Sequence, residues 1–307
     1  MLHRFRFRAM GSPCTLHLHG ETRTQADRLA RDCVAEVRRL EAKYSRYEAG
    51  SIVTAINRSA GKPAGIAVDE ETAGLLDYAA TCFAESGGLF DVTSGILRLV
   101  WDLKSGRVPA REEIEALMPR IGWQRLHWQR PRIVLPVPGM ELDFGGYVKE
   151  YAADRVAELC RQRGTWHGLV DLGGDLAVVG PHPDGSPWRV GIRDPVRRDA
   201  AMLCVDVFGG GVATSGDYER CMEIDGVRYG HVLDPRRGWP VDGLASVSVL
   251  AGHCLIAGTA STVAMLKGRT EAPVWLEELG LPHVRVERDG TRVERLTPAR
   301  SCAARAA

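Results

Sequence analysis

Two glycine pairs, a small group of hydroxyls and a histidine are the parts of this sequence whose types and spacing can do chemistry. In LDFGGYVKEYAAD (142–154), a glycine pair and Lys149 stand at the expected start of a helix. Amide groups at a helix N-terminus favour an anion, and a lysine adds positive charge. Asp143 can accept hydrogen bonds from a base or a ribose. Because a glycine pair is weak evidence, an ordinary strand–turn–helix connection fits this stretch as well.

Two further stretches place glycine beside acids and hydroxyls. In GVATSGDYER (211–220), Thr214, Ser215 and Gly216 offer hydroxyls and amide groups in a predicted turn. Such groups can hold phosphate oxygens, although an ordinary ST-turn uses the same residues. DLGGDL (171–176) fits either a backbone pressed against a ligand or a β-bulge.

The stretch RYGHVLDPRRGWP (228–240) contains the candidate general base. His231 lies between a predicted strand and an Asp–Pro turn. A neutral imidazole there can take the proton of a hydroxyl nucleophile. A lone histidine is more often structural, so His231 by itself does not establish catalysis.

The helices that must position these stretches are predicted from hydrophobic periodicity. Apolar residues recur at helical spacing over 23–44 and 70–86. YVKEYAADRVAELCRQRG (147–164) predicts a helix closed by a glycine, and a helix of small residues over 255–267 ends at Gly268. A short helix in EEIEALMPRIGW is broken by proline, and VWLEEL predicts one more helix near the end.

The strands are predicted mostly as hairpins. One strand pair turns around Gly11–Pro13, another at Asp225–Gly226, and a last one lies in HVRVERDGTRVERL. Because hairpins link most strands and the helices are grouped, the predicted fold is α+β. Mainly antiparallel sheets with packed helices are expected, not a doubly wound parallel sheet.

Composition excludes some classes of partner. The 40 Lys and Arg against 39 Asp and Glu leave a formal charge of +1, which lacks the basic excess of a nucleic-acid-binding protein. No stretch approaches the roughly 20 apolar residues of a membrane span. The 8 cysteines show no CxxC spacing, as in proteins of a reducing compartment. Without an apolar signal region near the N-terminus, a cytoplasmic location is expected.

Taken in order, the stretches resemble the ApbE family, the FAD:protein FMN transferases. From about Met10 to Gly268 the sequence runs through AMGS, SRYEAGSIVTAIN, GLFDVTSG, LDFGGYVKEYAAD, LVDLGGDL, PWRVGIRDP, ATSGDYER and GHVLDPRRGWPV. TSGDY combined with HxxDPxxGxP is the most specific part. The resemblance implies a T-fold-like, two-lobed single domain over residues 1–296, followed by a flexible tail over 297–307. Many family members are exported and carry a signal or lipoprotein segment.

The resemblance also implies an activity. Family members use FAD and Mg²⁺, cleave the FAD pyrophosphate and pass FMN to a Thr or Ser hydroxyl of a partner flavoprotein, releasing AMP. His231 would deprotonate that hydroxyl, and the metal would be bound by Gly146, Ser261 and Thr262. The implied FAD site consists of Met10, Tyr47, Leu89, Phe90, Asp91, Asp143, Lys149, Thr214, Ser215, Gly216 and Val232.

The run IAGTAST (256–262) departs from the family pattern. Family members usually carry an Asp and a Thr one turn apart on this helix, and both bind the metal. Here Thr262 is kept, but Gly258 occupies the Asp position and Ser261 a second acidic position. Mg²⁺ usually takes one or two carboxylates. Glu150 also stands where the family commonly has Gly.

These departures leave three functions open. The chain is a flavin transferase with Asp171, Asp175 or Asp217 as candidate substitute acids, a non-catalytic FAD-binding or carrier protein, or an FAD pyrophosphatase.

Overall fold

An antiparallel sheet of eight strands forms the centre of the protein. The computed structural model describes residues 1–197, 200–218 and 220–296. Its strands are β1 (Leu2–Ala9), β2 (Ser12–His19), β3 (Ile66–Ala67), β4 (His127–Gln129), β5 (Arg132–Val134), β6 (Gly168–Leu172), β7 (Asp175–Gly180), β8 (Trp188–Arg193), β9 (Ala201–Val207), β10 (Gly210–Gly216), β11 (Cys221–Ile224), β12 (Val227–Gly230), β13 (Leu233–Asp234), β14 (Trp239–Pro240), β15 (Leu244–Ala251), β16 (His283–Glu287) and β17 (Arg292–Arg295). The central sheet has the order β1-β2-β6-β7-β10-β15-β16-β17, and the other strands form small sheets of two or three.

The predicted hairpins are present. β1 pairs with β2, β11 with β12, and β16 with β17, all antiparallel. At the turn of the β11–β12 hairpin, Asp225 and Gly226 both have positive φ, +50° and +76°. A tight two-residue hairpin turn requires this backbone, which Asp and Gly accept at low cost.

Six helices accompany the sheets in the described ranges. They are α1 (Arg23–Tyr44), α2 (Ile52–Arg58), α3 (Glu70–Glu85), α4 (Arg111–Glu115), α5 (Val148–Gln162) and α6 (Cys254–Glu278), with 3₁₀ turns at Ser94–Leu99, Met118–Arg120 and Trp123–Arg125. The predicted stop at Gly268 is confirmed as a break inside α6, where φ is +68°. Residues after it continue to Glu278 as a second helical piece. The α+β prediction with mainly antiparallel sheets is therefore confirmed.

The pair of helices α5 and α6 determines the geometry of the site. Both pack against the central sheet, α5 over β7 and α6 over β10 and β15, and they also contact each other. The carboxylate of Asp154, in the middle of α5, accepts hydrogen bonds from the amides of Cys254 and Leu255 at 2.8 and 2.9 Å. An acid at a helix N-terminus satisfies its free amides. Asp154 thereby fixes the position of α6 along α5.

No helix in the part of the chain that the structure describes has both the length and the apolar character needed to cross a membrane. The predicted tail, 297–307, lies outside the described residues.

Candidate active site

A cleft of about 500 Å³ opens between the start of α5, the end of β10 and the segment after β12. A volume of this size is typical of small-molecule sites. Most residues that the sequence singled out line this cleft. They are Leu89, Phe90, Asp91, Asp143, Gly146, Lys149, Thr214, Ser215, Gly216, His231, Val232 and Thr262.

Three predicted residues lie elsewhere than in the wall of the cleft. Met10 occupies the β1–β2 turn, with φ of +50°. Tyr47 is 79% exposed, and its ring packs under the guanidinium of Arg46, whose carbon lies 5.1 Å from the ring centroid. Ser261 is fully buried, but its hydroxyl lies 2.8 Å from that of Ser215. Arg46 itself lines the cleft and was not predicted.

The glycine pair before α5 forms a turn that Asp143 orders. One carboxylate oxygen of Asp143 accepts a hydrogen bond from the Gly145 amide at 2.9 Å, and the other pairs with Arg46. The Asp143 amide donates to the carbonyl of Val92 at 2.8 Å, which connects this turn to the segment 89–95. Asp143 therefore faces the cleft with both oxygens engaged by the protein.

Lys149 lies in the first turn of α5. Its ammonium is 2.7 Å from the carboxylate of Asp175, at the start of β7. Burial lowers the pKa of Lys149, but Asp175 and Glu150 outweigh it, so the pKa is raised. The lysine is therefore positively charged at neutral pH, as a phosphate-binding group must be.

Residues 214–216, which the sequence predicted in a turn, lie on a strand instead. Thr214, Ser215 and Gly216 are the last residues of β10 and pair with β15. On the other side of β10 the pairing with β7 stops at Val212, and all three residues line the cleft, Thr214 and Ser215 with hydroxyl-bearing side chains. The Ser215 hydroxyl lies 2.9 Å from that of Thr262 on α6. Strand and helix thus bring their hydroxyls together at one point of the wall.

His231 directly follows β12 at the cleft wall. Its Nδ1 lies 3.2 Å from the carbonyl oxygen of Arg220. Because a carbonyl oxygen only accepts, we place the proton on Nδ1, which leaves a lone pair on Nε2. Burial and the charge of Arg220 lower the pKa of His231 to about 4. The imidazole is therefore neutral at physiological pH, as a general base must be.

Asp91 lines the cleft, but its carboxylate accepts hydrogen bonds from neighbouring loop residues. One oxygen accepts hydrogen bonds from the amide and the hydroxyl of Thr93 at 2.8 and 2.7 Å, and the other from the Trp123 amide at 2.9 Å. The side chain is buried, and burial raises its pKa although these hydrogen bonds oppose the rise. These contacts indicate a structural role.

Replacing Asp91 by Ala is expected to lower the free energy of unfolding by about 2 to 3 kcal/mol, because three donors lose a buried charged acceptor. Chemical denaturation measures the loss. The matched control is Asp102→Ala, at an exposed carboxylate, which should cost about 0.5 kcal/mol or less. If Asp91→Ala weakened FAD binding and left stability unchanged, a direct flavin contact would replace this interpretation.

Few acidic side chains are placed where they could bind a metal ion in the cleft. Within 1–197, 200–218 and 220–296, no three His, Cys, Asp or Glu side chains come together to hold a metal ion. Of the three candidate substitute acids, Asp175 lines the cleft, whereas Asp217 binds Arg288 at 2.7 Å and Asp171 accepts from the Gly174 amide at 2.8 Å.

Glu150 is a cleft residue whose role the sequence did not predict. Its side chain is 92% buried, as the residue is 8% exposed, and its Oε2 has no hydrogen-bond partner. Burial, together with Asp175, raises the pKa of this carboxyl well above its usual range, while Lys149 opposes the rise. A buried oxygen without a partner, in a residue that lines the same cleft as Ser215 and Thr262, fits a hard divalent cation. The signal in the sequence was the unusual acid after Lys149.

Comparison with known proteins decides the family. Residues 10–284 match the ApbE family. The chain belongs to the ApbE family. It is 31% identical over 233 residues to a protein of Escherichia coli K12 named FAD:protein FMN transferase, a match that covers 73% of this chain and 66% of that protein. The chain thus spans just under two thirds of that relative's length.

Solved ApbE structures share the whole fold. The ApbE protein of Thermotoga maritima superposes with a TM-score of 0.88 at 29% identity, covering 96% of this chain and 97% of that one. The apo form of Pseudomonas stutzeri flavinyl transferase ApbE gives a TM-score of 0.83 at 31% identity, covering 95% and 93%. The predicted resemblance and its fold class are confirmed.

Proposed function

We propose that this ApbE protein cleaves FAD and transfers FMN to a Thr or Ser hydroxyl of a partner flavoprotein, releasing AMP, with Mg²⁺ as the required metal. The observation that supports it is the meeting of Lys149, the Ser215 and Thr262 hydroxyls and a neutral His231 around one cleft. Phosphoryl transfer needs positioning and charge stabilisation more than covalent chemistry from the protein. A cationic group, hydroxyl donors and a base supply these needs.

The transfer exchanges one phosphorus–oxygen bond for another. The acceptor hydroxyl oxygen bonds to the phosphorus of the FMN half, and the bond from that phosphorus to the bridging oxygen breaks. The bridging oxygen leaves with AMP. The proton of the hydroxyl passes to Nε2 of His231 and from there to water. Lys149 and the amides at the start of α5 stabilise the phosphate charge.

The metal would be held next to these groups by the Gly146 carbonyl and the Thr262 hydroxyl. Mg²⁺ bound to a pyrophosphate neutralises charge that develops on the leaving phosphate. Ser261 is buried behind the cleft wall and bonds the Gly258 carbonyl at 2.9 Å, so it would support the site through Ser215.

A second candidate function is that of a non-catalytic FAD-binding protein. The observation that favours it is Gly258, which removes the usual acidic ligand from α6. Hydrolysis of FAD by water is a third outcome of the same site, in which no acceptor is labelled.

One assay separates the three functions. The protein is incubated with FAD, Mg²⁺ and an acceptor flavoprotein, AMP is measured by chromatography, and covalent flavin by fluorescence of the denatured acceptor. Equal amounts of AMP and labelled acceptor are expected, and both should vanish with a chelator. The control acceptor carries Ala at the modified Thr or Ser. AMP without labelling would indicate a pyrophosphatase, and bound FAD with neither product would indicate a carrier.

A further inference from the structure

The space beside Gly258 is occupied from the neighbouring helix. A Cβ added to Gly258 would lie 2.5 Å from Cγ of Glu150 and 2.8 Å from its Oε1. No real side chain approaches another so closely, so any residue larger than glycine would displace Glu150. A glycine inside a helix costs about 1 kcal/mol relative to alanine. The buried Glu150 side chain explains why that cost is tolerated here.

The two helices are aligned so that this contact is fixed. Asp154 caps α6 at Cys254 and Leu255. Glu150 lies one turn before Asp154 on α5, and Gly258 lies one turn after Cys254 on α6. Side chains four residues apart share a helix face. The cap therefore holds Glu150 opposite Gly258, the position at which family members usually carry the acid.

The carboxylate of Glu150 lacks a protein partner for one of its oxygens. Its Oε2 accepts no hydrogen bond, although the side chain is almost fully buried. The adjacent ammonium of Lys149 is directed at Asp175, at 2.7 Å. Burying a charged oxygen without a partner costs several kcal/mol, and native proteins usually avoid it unless an ion or water completes the site.

Other hard oxygens line the same cleft. Glu150 shares it with the Gly146 backbone, Ser215 and Thr262. Thr262 lies one turn after Gly258 on α6, and its hydroxyl is 2.9 Å from that of Ser215. Mg²⁺ typically takes one or two carboxylates and completes its six positions with substrate phosphate and water. One acid near these oxygens suffices for such a site.

We propose that Glu150 supplies the acidic ligand of the metal, from α5, in place of the acid that the family usually carries on α6 at position 258. Gly258 and Glu150 are then two linked differences from the family pattern: the acid is on α5 instead of α6, and the glycine leaves space for its side chain. This inference rests on the proposed Mg²⁺-dependent function.

The test measures metal binding and not turnover. Mn²⁺ is titrated into the full-length protein with one equivalent of FAD and no acceptor, and free Mn²⁺ is read from its EPR signal. Chromatography verifies that FAD stays intact during the titration. Glu150→Gln keeps the shape of the side chain and removes the charge. We expect it to bind Mn²⁺ at least about tenfold more weakly than the wild type, since even residues behind the ligands are worth 10- to 100-fold.

The matched control is Glu158→Gln, the same substitution two turns later on α5. Its side chain is 47% exposed, and its partners are Arg161 and Gln162. It should bind Mn²⁺ as the wild type does. Equal Mn²⁺ affinity of Glu150→Gln and wild type, with FAD binding intact in both, would overturn the role of Glu150 alone. A wild type that binds no more Mn²⁺ than free FAD does would overturn the metal-dependent function as well.

Discussion

His231→Gln is expected to slow flavin transfer by about 10²- to 10⁴-fold, the usual contribution of a positioned general base. Glutamine can still donate to the Arg220 carbonyl, as Nδ1 of His231 does at 3.2 Å, so the local fold should survive. It offers no basic nitrogen for the acceptor proton. FAD affinity, measured by fluorescence quenching, should change little, because the loss lies in the transfer step. A large loss of FAD affinity with an unchanged rate at saturation would contradict this assignment.

The pH dependence of transfer tests the same residue independently. Because the pKa of His231 is lowered to about 4, the imidazole stays unprotonated down to that pH. The base is lost only as pH falls through this value. At saturating Mg²⁺, which would keep the Glu150 carboxyl ionised although burial raises its pKa, kcat/KM should stay level from pH 8 to about pH 5 and fall below. A fall centred near the ordinary histidine value of about 6.5 would mean that His231 is solvated in the free enzyme. In His231→Gln, the acid limb should disappear.

The sequence could single out Lys149 and His231, which both line the cleft, because each belongs to a local pattern. A glycine pair before a helix places Lys149, and a hairpin followed by a turn places His231. These features depend on residues close along the chain. Thr214 and Ser215 were predicted in a turn and lie on β10, since their neighbours on β15 complete the strand. Pairing between distant strands was the part that local reasoning missed.

The position of Glu150 could not be predicted for the same reason. Its surroundings depend on how α5 packs on α6, and Gly258 lies 108 positions further along the chain. In the sequence, the acid after Lys149 and the glycine at 258 are two separate departures from the family pattern, and nothing local connects them. The packing of two helices turns them into one contact. Tyr47 is the opposite case: the family resemblance implied that it belongs to the FAD site, but the structure leaves the residue 79% exposed and outside the cleft wall.

Gly258→Asp in the otherwise unchanged chain is expected to destabilise the protein by about 3 kcal/mol or more. The new Cβ would overlap Glu150, and overpacking of a core costs about 1 to 3 kcal/mol. Two carboxylates in one buried space add like-charge repulsion. Denaturant unfolding at pH 7 measures the loss. Gly258→Ala, the uncharged control, should show the steric cost reduced by the roughly 1 kcal/mol that alanine gains over glycine inside a helix.

If Glu150 and Gly258 depend on each other, the double variant Glu150→Gly/Gly258→Asp should restore both stability and Mn²⁺ affinity. In Glu150→Gly, the same Gly258→Asp change enters vacated space, and its carboxylate lies one turn before Thr262 on α6. We expect the double variant to regain most of the wild-type stability and Mn²⁺ affinity, whereas Glu150→Gly alone binds Mn²⁺ at least about tenfold more weakly. Residues in contact give non-additive effects, and independent ones give sums. If the effects on stability and Mn²⁺ affinity simply added, Glu150 and Gly258 would be two separate substitutions, and the acid of the metal site would have to be sought at Asp175.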